Sequence, residues 1–255
     1  MVSLDFTNIF QGSSGITSIY QGSTLIWPIA SPEVPLTWIG NGTDTANRQD
    51  VWFNSEFIPN INGMVKATYS NSVFTNTMGV VALFDDKTSP FYHFSIHHPR
   101  NTTVAICGLI GDTQMVDKDD SSLKIAGQVY VTKIYTTVGT SYANSYTRLI
   151  TGPSGGTPFS VSKNMASASR FKNFLNTVPK DPFYFFARNN VKNNQADILC
   201  YGGTKIYQVQ IYSSNSESDL VADFRPYLVN GVPCFKDIIN NTYHYNQGTG
   251  TVTYG

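Results

Sequence analysis

The last third of the chain constrains the fold most. Lys205-Ile-Tyr-Gln-Val-Gln-Ile-Tyr212 alternates apolar and polar side chains, the period of a strand with one buried face. This spacing predicts Tyr207, Val209 and Ile211 on one face and Gln208 and Gln210 on the other. Leu220-Val-Ala-Asp-Phe-Arg-Pro226 reads as a second strand, ended by its proline. Asn230-Gly-Val-Pro-Cys-Phe-Lys-Asp237 adds a turn, and Tyr243-His-Tyr-Asn-Gln-Gly-Thr-Gly250 a closing hairpin. A chain that ends this way must supply further strands to cover the same apolar face.

The rest of the sequence supplies them. Strands are expected at Val51–Pro59, Met64–Tyr69, Val80–Phe84, Phe91–Ile96, Thr103–Ile110, Gln128–Tyr135, Ser145–Ile150, Pro182–Arg188 and Asp197–Tyr201. The connections are rich in Gly, Asn, Asp, Ser and Pro, as in Gly152-Pro-Ser-Gly-Gly156. Charged residues make up 13% of the 255, about half the usual share, and Glu33, Glu56 and Glu217 are the only glutamates. Helix surfaces draw on Glu and Lys, so this composition favours exposed strands and turns. One short helix is expected at Lys163–Asn176, where Met165, Ala168, Phe171, Phe174 and Leu175 make one apolar face. Many short strands with frequent turns predict an all-β, two-sheet sandwich of the jelly-roll type.

Residues 1–35 form a separate unit in this reading, and residues 36–255 the sandwich. Ile16-Thr-Ser-Ile-Tyr20, Gln21-Gly-Ser23 and Thr24-Leu-Ile-Trp27 spell a β-hairpin. A lone hairpin is marginal in water, and Ile16, Ile19, Tyr20, Leu25, Ile26 and Trp27 are too apolar for a free arm. They are the candidate residues for docking on a partner or sister subunit. Pro28, Pro32 and Pro35 punctuate a stiff connection to the sandwich.

Several function classes find no support. Lys and Arg number 17, as do Asp and Glu, so the net charge is zero and no basic patch invites nucleic acid. No apolar run approaches the ~20 residues of a membrane span. Cys107, Cys200 and Cys234 lack metal spacing and read as buried thiols. Retaining glycosidases need two carboxylates about 5 Å apart; the three glutamates here sit in three different segments, so the chain reads as a non-enzyme. His93 and His97 can share a strand face while His98 points away, a pattern that fits ordinary strand histidines better than a metal site.

Two weaker candidate sites remain. Asp112, Asp117, Asp119 and Asp120 form the densest acidic cluster, a candidate calcium (Ca2+) loop that Lys118 and Lys124 partly neutralise. Tyr142 and Tyr146 stand among polar residues in the middle region, where a tyrosine ring offers an apolar face and a hydroxyl to a sugar.

The closing motifs, Lys205–Tyr212, Leu220–Pro226, Asn230–Asp237 and Tyr243–Gly250, resemble the C-terminal end of the concanavalin-like (laminin-G-like) jelly-roll domains of tailed-bacteriophage structural proteins. Asp50-Val-Trp-Phe-Asn-Ser-Glu-Phe-Ile-Pro59 resembles the family's opening strand, and Phe183-Tyr-Phe-Phe-Ala-Arg-Asn189 its strand ending in Ala-Arg-Asn. Ile16 to Pro28 resembles a short module of phage tail and fibre proteins. The resemblance spans about residues 50–255; the stretch 111–182 carries no family motif and is expected to hold elaborated loops. It implies a virion protein assembled in the bacterial cytoplasm: a head fibre, tail fibre or capsid-decorating subunit, like proteins of crAss-like phages. It also implies homo-oligomers, other virion proteins as partners and, as an alternative role, adhesion to host surface glycans.

Overall fold

The computed structural model describes residues 10–11, 14–15, 18–21, 24–28, 33–60, 62–74, 78–85, 92–98, 106–110, 116–118, 121–165, 167–176, 182–190, 195–197 and 200–255. For the strands before residue 30, for most of 78–118, for parts of the helix and for 188–197 the description covers the backbone alone.

Two sheets face each other across one core. The larger holds eleven strands among the described residues; its main path runs Phe159–Asn164, Tyr146–Pro153, Val129–Thr137, Met64–Asn71, Thr204–Tyr212, Leu220–Val229, Val232–Asp237 and Thr242–Tyr245. The smaller runs Val116–Lys118, Ile106–Ile110, Tyr92–His98, Met78–Asp85, Tyr184–Phe185 and Phe53–Asn54, with Arg188–Asn190 and Gln195–Asp197 beside it. Pairing is antiparallel throughout the main paths, and the chain passes repeatedly from one sheet to the other. This is a jelly-roll sandwich. No described helix is long and apolar enough to cross a membrane.

Side-chain alternation explains which face is buried. Val65, Ala67 and Tyr69 point into the core at 0–1% exposure, while Lys66 and Thr68 point outward. In Val129–Thr137, Tyr130, Thr132, Ile134 and Thr136 are inward. The buried hydroxyls among them are satisfied within the core: Tyr69 OH lies 3.1 Å from Thr132 Oγ1, which lies 2.7 Å from Thr151 Oγ1. Burial pushes the Tyr69 phenol well above its ordinary range.

Aromatic rings join the sheets. Phe235 of the large sheet sits 5.0 Å from Phe53 and 5.1 Å from Phe185 of the small one, both edge to face. Consecutive strand residues normally point to opposite faces. Phe186 adopts φ 61°, a left-handed turn that lets both Phe185 and Phe186 face the core.

The two ends of the family resemblance meet in space. Gln247 N donates to Trp52 O at 2.9 Å and Gly250 N to Asp50 O at 2.7 Å. Asn246 Oδ1 accepts from Trp52 N at 3.0 Å. The opening and closing motifs thus form one clasp.

Several expectations are corrected. The helix spans Ala168–Asn176, because Phe159–Asn164 is taken up as a strand beside Tyr146–Pro153. Its Ala168 and Leu175 are exposed, and Met165, just before it, is buried. Pro226 lies inside the Leu220–Val229 strand instead of ending it. Tyr207 does not share a face with Val209 and Ile211, because a bulge falls between Ile206 and Gln208. The strand expected at Asp197–Tyr201 lies earlier, at Gln195–Asp197, and Tyr201 makes only an isolated bridge to Arg48. At the front of the sandwich, Glu33–Pro35 pairs with Tyr227–Val229 and so belongs to the large sheet.

Cys200 and Cys234 are both buried. Burial, with a smaller contribution from the Glu33 carboxylate, pushes the Cys234 thiol up to about 11. Because the thiolate is the reactive species, Cys234 in the native protein is expected to resist a thiol reagent near about pH 8 and to react fully once unfolded. Peptide mapping after labelling checks this; rapid native labelling of Cys234 would contradict the burial.

Candidate functional site

The outer face of the large sheet carries a cleft that its sequence builds in three steps. Val209–Tyr212 pairs with Leu220–Phe224. Continued in register, Gln208 would meet Arg225 and Tyr207 would meet Pro226. Proline has no N–H to give, and the bulge at Tyr207 breaks the alternation on the other strand. The strands therefore part beyond Phe224. Pro35 and Leu36 enter the fork, with Leu36 N donating to Pro226 O at 3.0 Å. In an antiparallel strand the N and O of one residue point to the same edge, so the missing donor of Pro226 faces the fork and leaves its pairing with Phe235 intact.

The resulting cleft is about 370 Å³, lined by Pro35, Leu36, Tyr207, Gln208, Arg225 and Tyr227 along with Pro226. Its polar groups are held by Asp223, two residues before Arg225 on the same strand, whose side chain is 5% exposed. Asp223 Oδ2 accepts from Arg225 Nε at 3.1 Å and Nη2 at 2.9 Å, and Oδ1 accepts from Gln208 Nε2 at 2.7 Å. The fork-shaped pairing fixes the guanidinium plane and raises the Arg225 pKa further. Asp223 N in turn donates to Asp237 Oδ1 at 3.0 Å. Tyr207 OH lies 3.3 Å from Ser70 Oγ.

Beside the fork, Lys236 Nζ bonds Glu33 Oε2 at 2.6 Å, and Tyr243 OH donates to Glu33 Oε1. Bonding from Lys236, then from Tyr243, holds the Glu33 carboxyl below its usual range. Lys236 Nζ also stands 5.4 Å from the Tyr227 ring and 5.0 Å from the Tyr243 ring. These contacts fasten Glu33–Pro35 to the sheet.

Two other hollows differ in kind. A larger one of about 570 Å³ includes Trp38, Lys205, Thr253 and Tyr254. There the Trp38 ring is covered by Lys205 Nζ at 3.9 Å, and the Trp38 backbone is bonded to Gly255. That aromatic is occupied in fastening the Thr253–Tyr254 strand. A third, of about 240 Å³, has Glu217 held between Lys66 at 2.8 Å and Lys133 at 2.9 Å; both lysines lower the Glu217 pKa by bonding it.

The residues expected from sequence are distributed as follows. Tyr142 is 41% exposed on the short turn Tyr142–Asn144, and Tyr146 is half-buried at the start of the next strand. The turn is held by Asn144 Oδ1, which accepts from Ser141 N at 2.8 Å. Asp117 lies in the Val116–Lys118 strand opposite Cys107, with its side chain outside the description. Asp112, Asp119 and Asp120 lie outside the described residues. Among the described residues no three His, Cys, Asp or Glu side chains gather as a metal site. His97 Nδ1 lies 3.1 Å from Ser95 Oγ, and the side chains of His93 and His98 lie outside the description. In the arm, Ile19 and Tyr20 pair with Trp27 and Leu25 across a two-stranded hairpin that also contains Ile26. The side chains of all five, and Ile16 entirely, lie outside the described residues. The fork itself is not legible from sequence reasoning. Its one signal is a proline in a strand, opposite a tyrosine beside two glutamines.

No protein-family model matches the chain. No curated protein matches it either. Among solved structures, it is similar to the native heptameric SAP-like pentraxin of Limulus polyphemus, with TM-score 0.48 and 7% identity over 86% of this chain and 94% of that one. It is also similar to the enzymatically active domain of bacteriophage CBA120 tailspike protein 2, with TM-score 0.44 and 17% identity, covering 73% of this chain and 30% of that one. The full-length tailspike protein 2 of an Escherichia coli O157:H7 bacteriophage gives TM-score 0.44 and 17% identity, over 79% of this chain and 28% of that one. The chain thus spans less than a third of the tailspike chains it matches. None of these likenesses transfers a ligand, an assembly or an activity to it.

Proposed function

We propose that this chain is a bacteriophage virion surface protein, a head fibre, tail fibre or capsid-decorating subunit without catalytic activity. Residues 1–35 anchor it to other virion proteins or to sister subunits through Ile16, Ile19, Tyr20, Leu25, Ile26 and Trp27. The sandwich of residues 36–255 is displayed outward, most effectively as a homo-oligomer, since repeated weak contacts gain from multivalency. The observation that carries this reading is the set of phage-like motifs at Asp50–Pro59, Phe183–Asn189 and 205–250. Calcium at the carboxylates of Asp112, Asp117, Asp119 and Asp120 belongs to the same proposal.

The test is a pull-down against separated virion proteins, with the intact chain and with one lacking residues 1–30. Cutting before Glu33 keeps Glu33–Pro35 in the sheet and the Glu33–Lys236 pair intact. Binding by the intact chain alone is the expected result. Equal binding by both forms would remove the anchoring role of the arm, and binding by neither would remove the virion role.

A second reading, adhesion to host surface glycans, is favoured by one observation: the Tyr207–Arg225–Tyr227 fork, an outward cleft with aromatic walls and fixed polar groups. Tyr142 and Tyr146 are the alternative contacts for such a ligand, on the turn and strand they share.

A further inference from the structure

We propose that the fork is a binding site for a short stretch of neutral saccharide, with Tyr207 and Tyr227 as its apolar walls and Arg225 and Gln208 as its hydrogen-bonding groups. The inference rests on the adhesion reading and names the ligand class of that site.

The charge balance selects a neutral ligand. Arg225 is paired with Asp223, and Lys236 with Glu33, each in direct contact. Among the described residues, both cations at the cleft stand against a carboxylate. An anionic sugar, a phosphate or a nucleic acid would find both cations already neutralised and would meet the Asp223 and Glu33 carboxylates beside them. A neutral polyol carries no charge for those carboxylates to oppose. Arg225 commits Nε and part of Nη2 to Asp223, while its side chain is 53% exposed, so the remaining guanidinium N–H groups are available as donors. Gln208 commits Nε2 to Asp223 and offers Oε1 as an acceptor beside them. Donor and acceptor are thus presented together, at positions fixed before a ligand arrives, which removes much of the ordering cost of binding.

The shape argues the same way. The bulge turns Tyr207 to the outer face next to Gln208, and Tyr227 stands across the fork on the other strand. Sugars present apolar ring faces edged by hydroxyls, and tyrosine matches both. Asp223 is a positioning residue here: it stands beside Arg225 on the same strand and acts through Arg225 and Gln208. A cleft of about 370 Å³ falls within the usual range for small-ligand sites.

The experiment presents the intact chain to an array carrying neutral and uronate-containing oligosaccharides, and then titrates the members that bind. The expected result is binding of neutral members, reduced at least about tenfold by Tyr207→Ala and by Tyr227→Ala. A thermal melt of each variant separates loss of site from loss of fold. A second measurement needs no variant: on titration, the side-chain NMR signals of Gln208 Nε2–H and Arg225 Nε–H shift with the same dissociation constant. Binding of no saccharide by the intact chain, binding of uronates only, or full affinity in a folded Tyr207→Ala protein would each overturn the proposal. The virion pull-down with Tyr207→Ala keeps the two readings apart, since docking through the arm is independent of the fork.

Discussion

Replacing Phe235 with alanine is expected to cost about 3–5 kcal/mol of folding stability, the usual range for deleting a fully buried ring. Phe235 has 0% exposure and touches rings from both sheets: Phe53 at 5.0 Å, Phe185 at 5.1 Å and Phe186 at 6.4 Å between centroids. Phe185 also packs edge to face on Phe224 at 5.1 Å, so one deletion loosens a connected stack. The backbone around the void cannot collapse easily, because Phe235 is paired on both sides, with Pro226 and His244. For a chain of this size, each kcal/mol lowers the melting temperature by about 2–4 °C, so a fall of roughly 10 °C is expected. Denaturant unfolding of Phe235→Ala against the parent measures the loss. Phe235→Leu, which refills much of the space, should recover more than half of it. A loss below about 1 kcal/mol would mean that this stack does not hold the sheets together.

How far the fold is legible in the sequence depends on where local pattern and tertiary pairing agree. Along Met64–Asn71 they agree, and the alternation places Val65, Ala67, Tyr69 and Lys66 on their observed faces. Along Thr204–Tyr212 they agree from Val209 onward and fail at Tyr207, because a bulge inserts one residue and resets the period. Periodicity cannot announce a bulge, since both strands must be known. Pro226 misleads for a related reason. Proline stops a strand only where its missing N–H would have met a partner, and here that edge faces the fork. Apolar spacing puts Lys163 in a helix, but its backbone pairs with Thr147; sheet pairing overrides a weak amphipathic signal. The candidate site is less legible still. Tyr142 is identifiable as an exposed aromatic, whereas the fork joins residues 35–36, 207–208 and 225–227, which no local motif connects.

Gly248→Ala is expected to be the most damaging addition of a single methyl group in the C-terminal region. A Cβ there would lie 2.0 Å from the Asp50 carbonyl oxygen, a backbone atom with little room to yield. Asp50 is fixed from several directions: Gly250 N donates to its carbonyl at 2.7 Å, and Thr249 donates to its carboxylate through N at 2.9 Å and Oγ1 at 2.7 Å. These bonds hold the Asp50 carboxyl below its usual range. Asn246 braces the same turn, accepting from Gly248 N at 3.1 Å and donating to the carbonyls of Gly248 at 3.1 Å and Gly250 at 3.2 Å. Relieving the clash would require opening this network, so the cost is expected at or above the ~3 kcal/mol upper end of ordinary overpacking. Gly231→Ala provides the contrast. Gly231 has φ 79°, and a methyl group added there would meet nothing within 4 Å, so only the left-handed backbone penalty of about 1–2 kcal/mol applies. Denaturant midpoints of the two variants measure the difference. A clearly larger loss for Gly248→Ala would establish that the Asn-Gln-Gly-Thr-Gly run is written into the sequence for the clasp it makes with Asp50–Trp52, and that ligand chemistry has to be sought elsewhere on the surface. Equal losses would mean that the clasp yields, and its residues would then be open to a role beyond the fold.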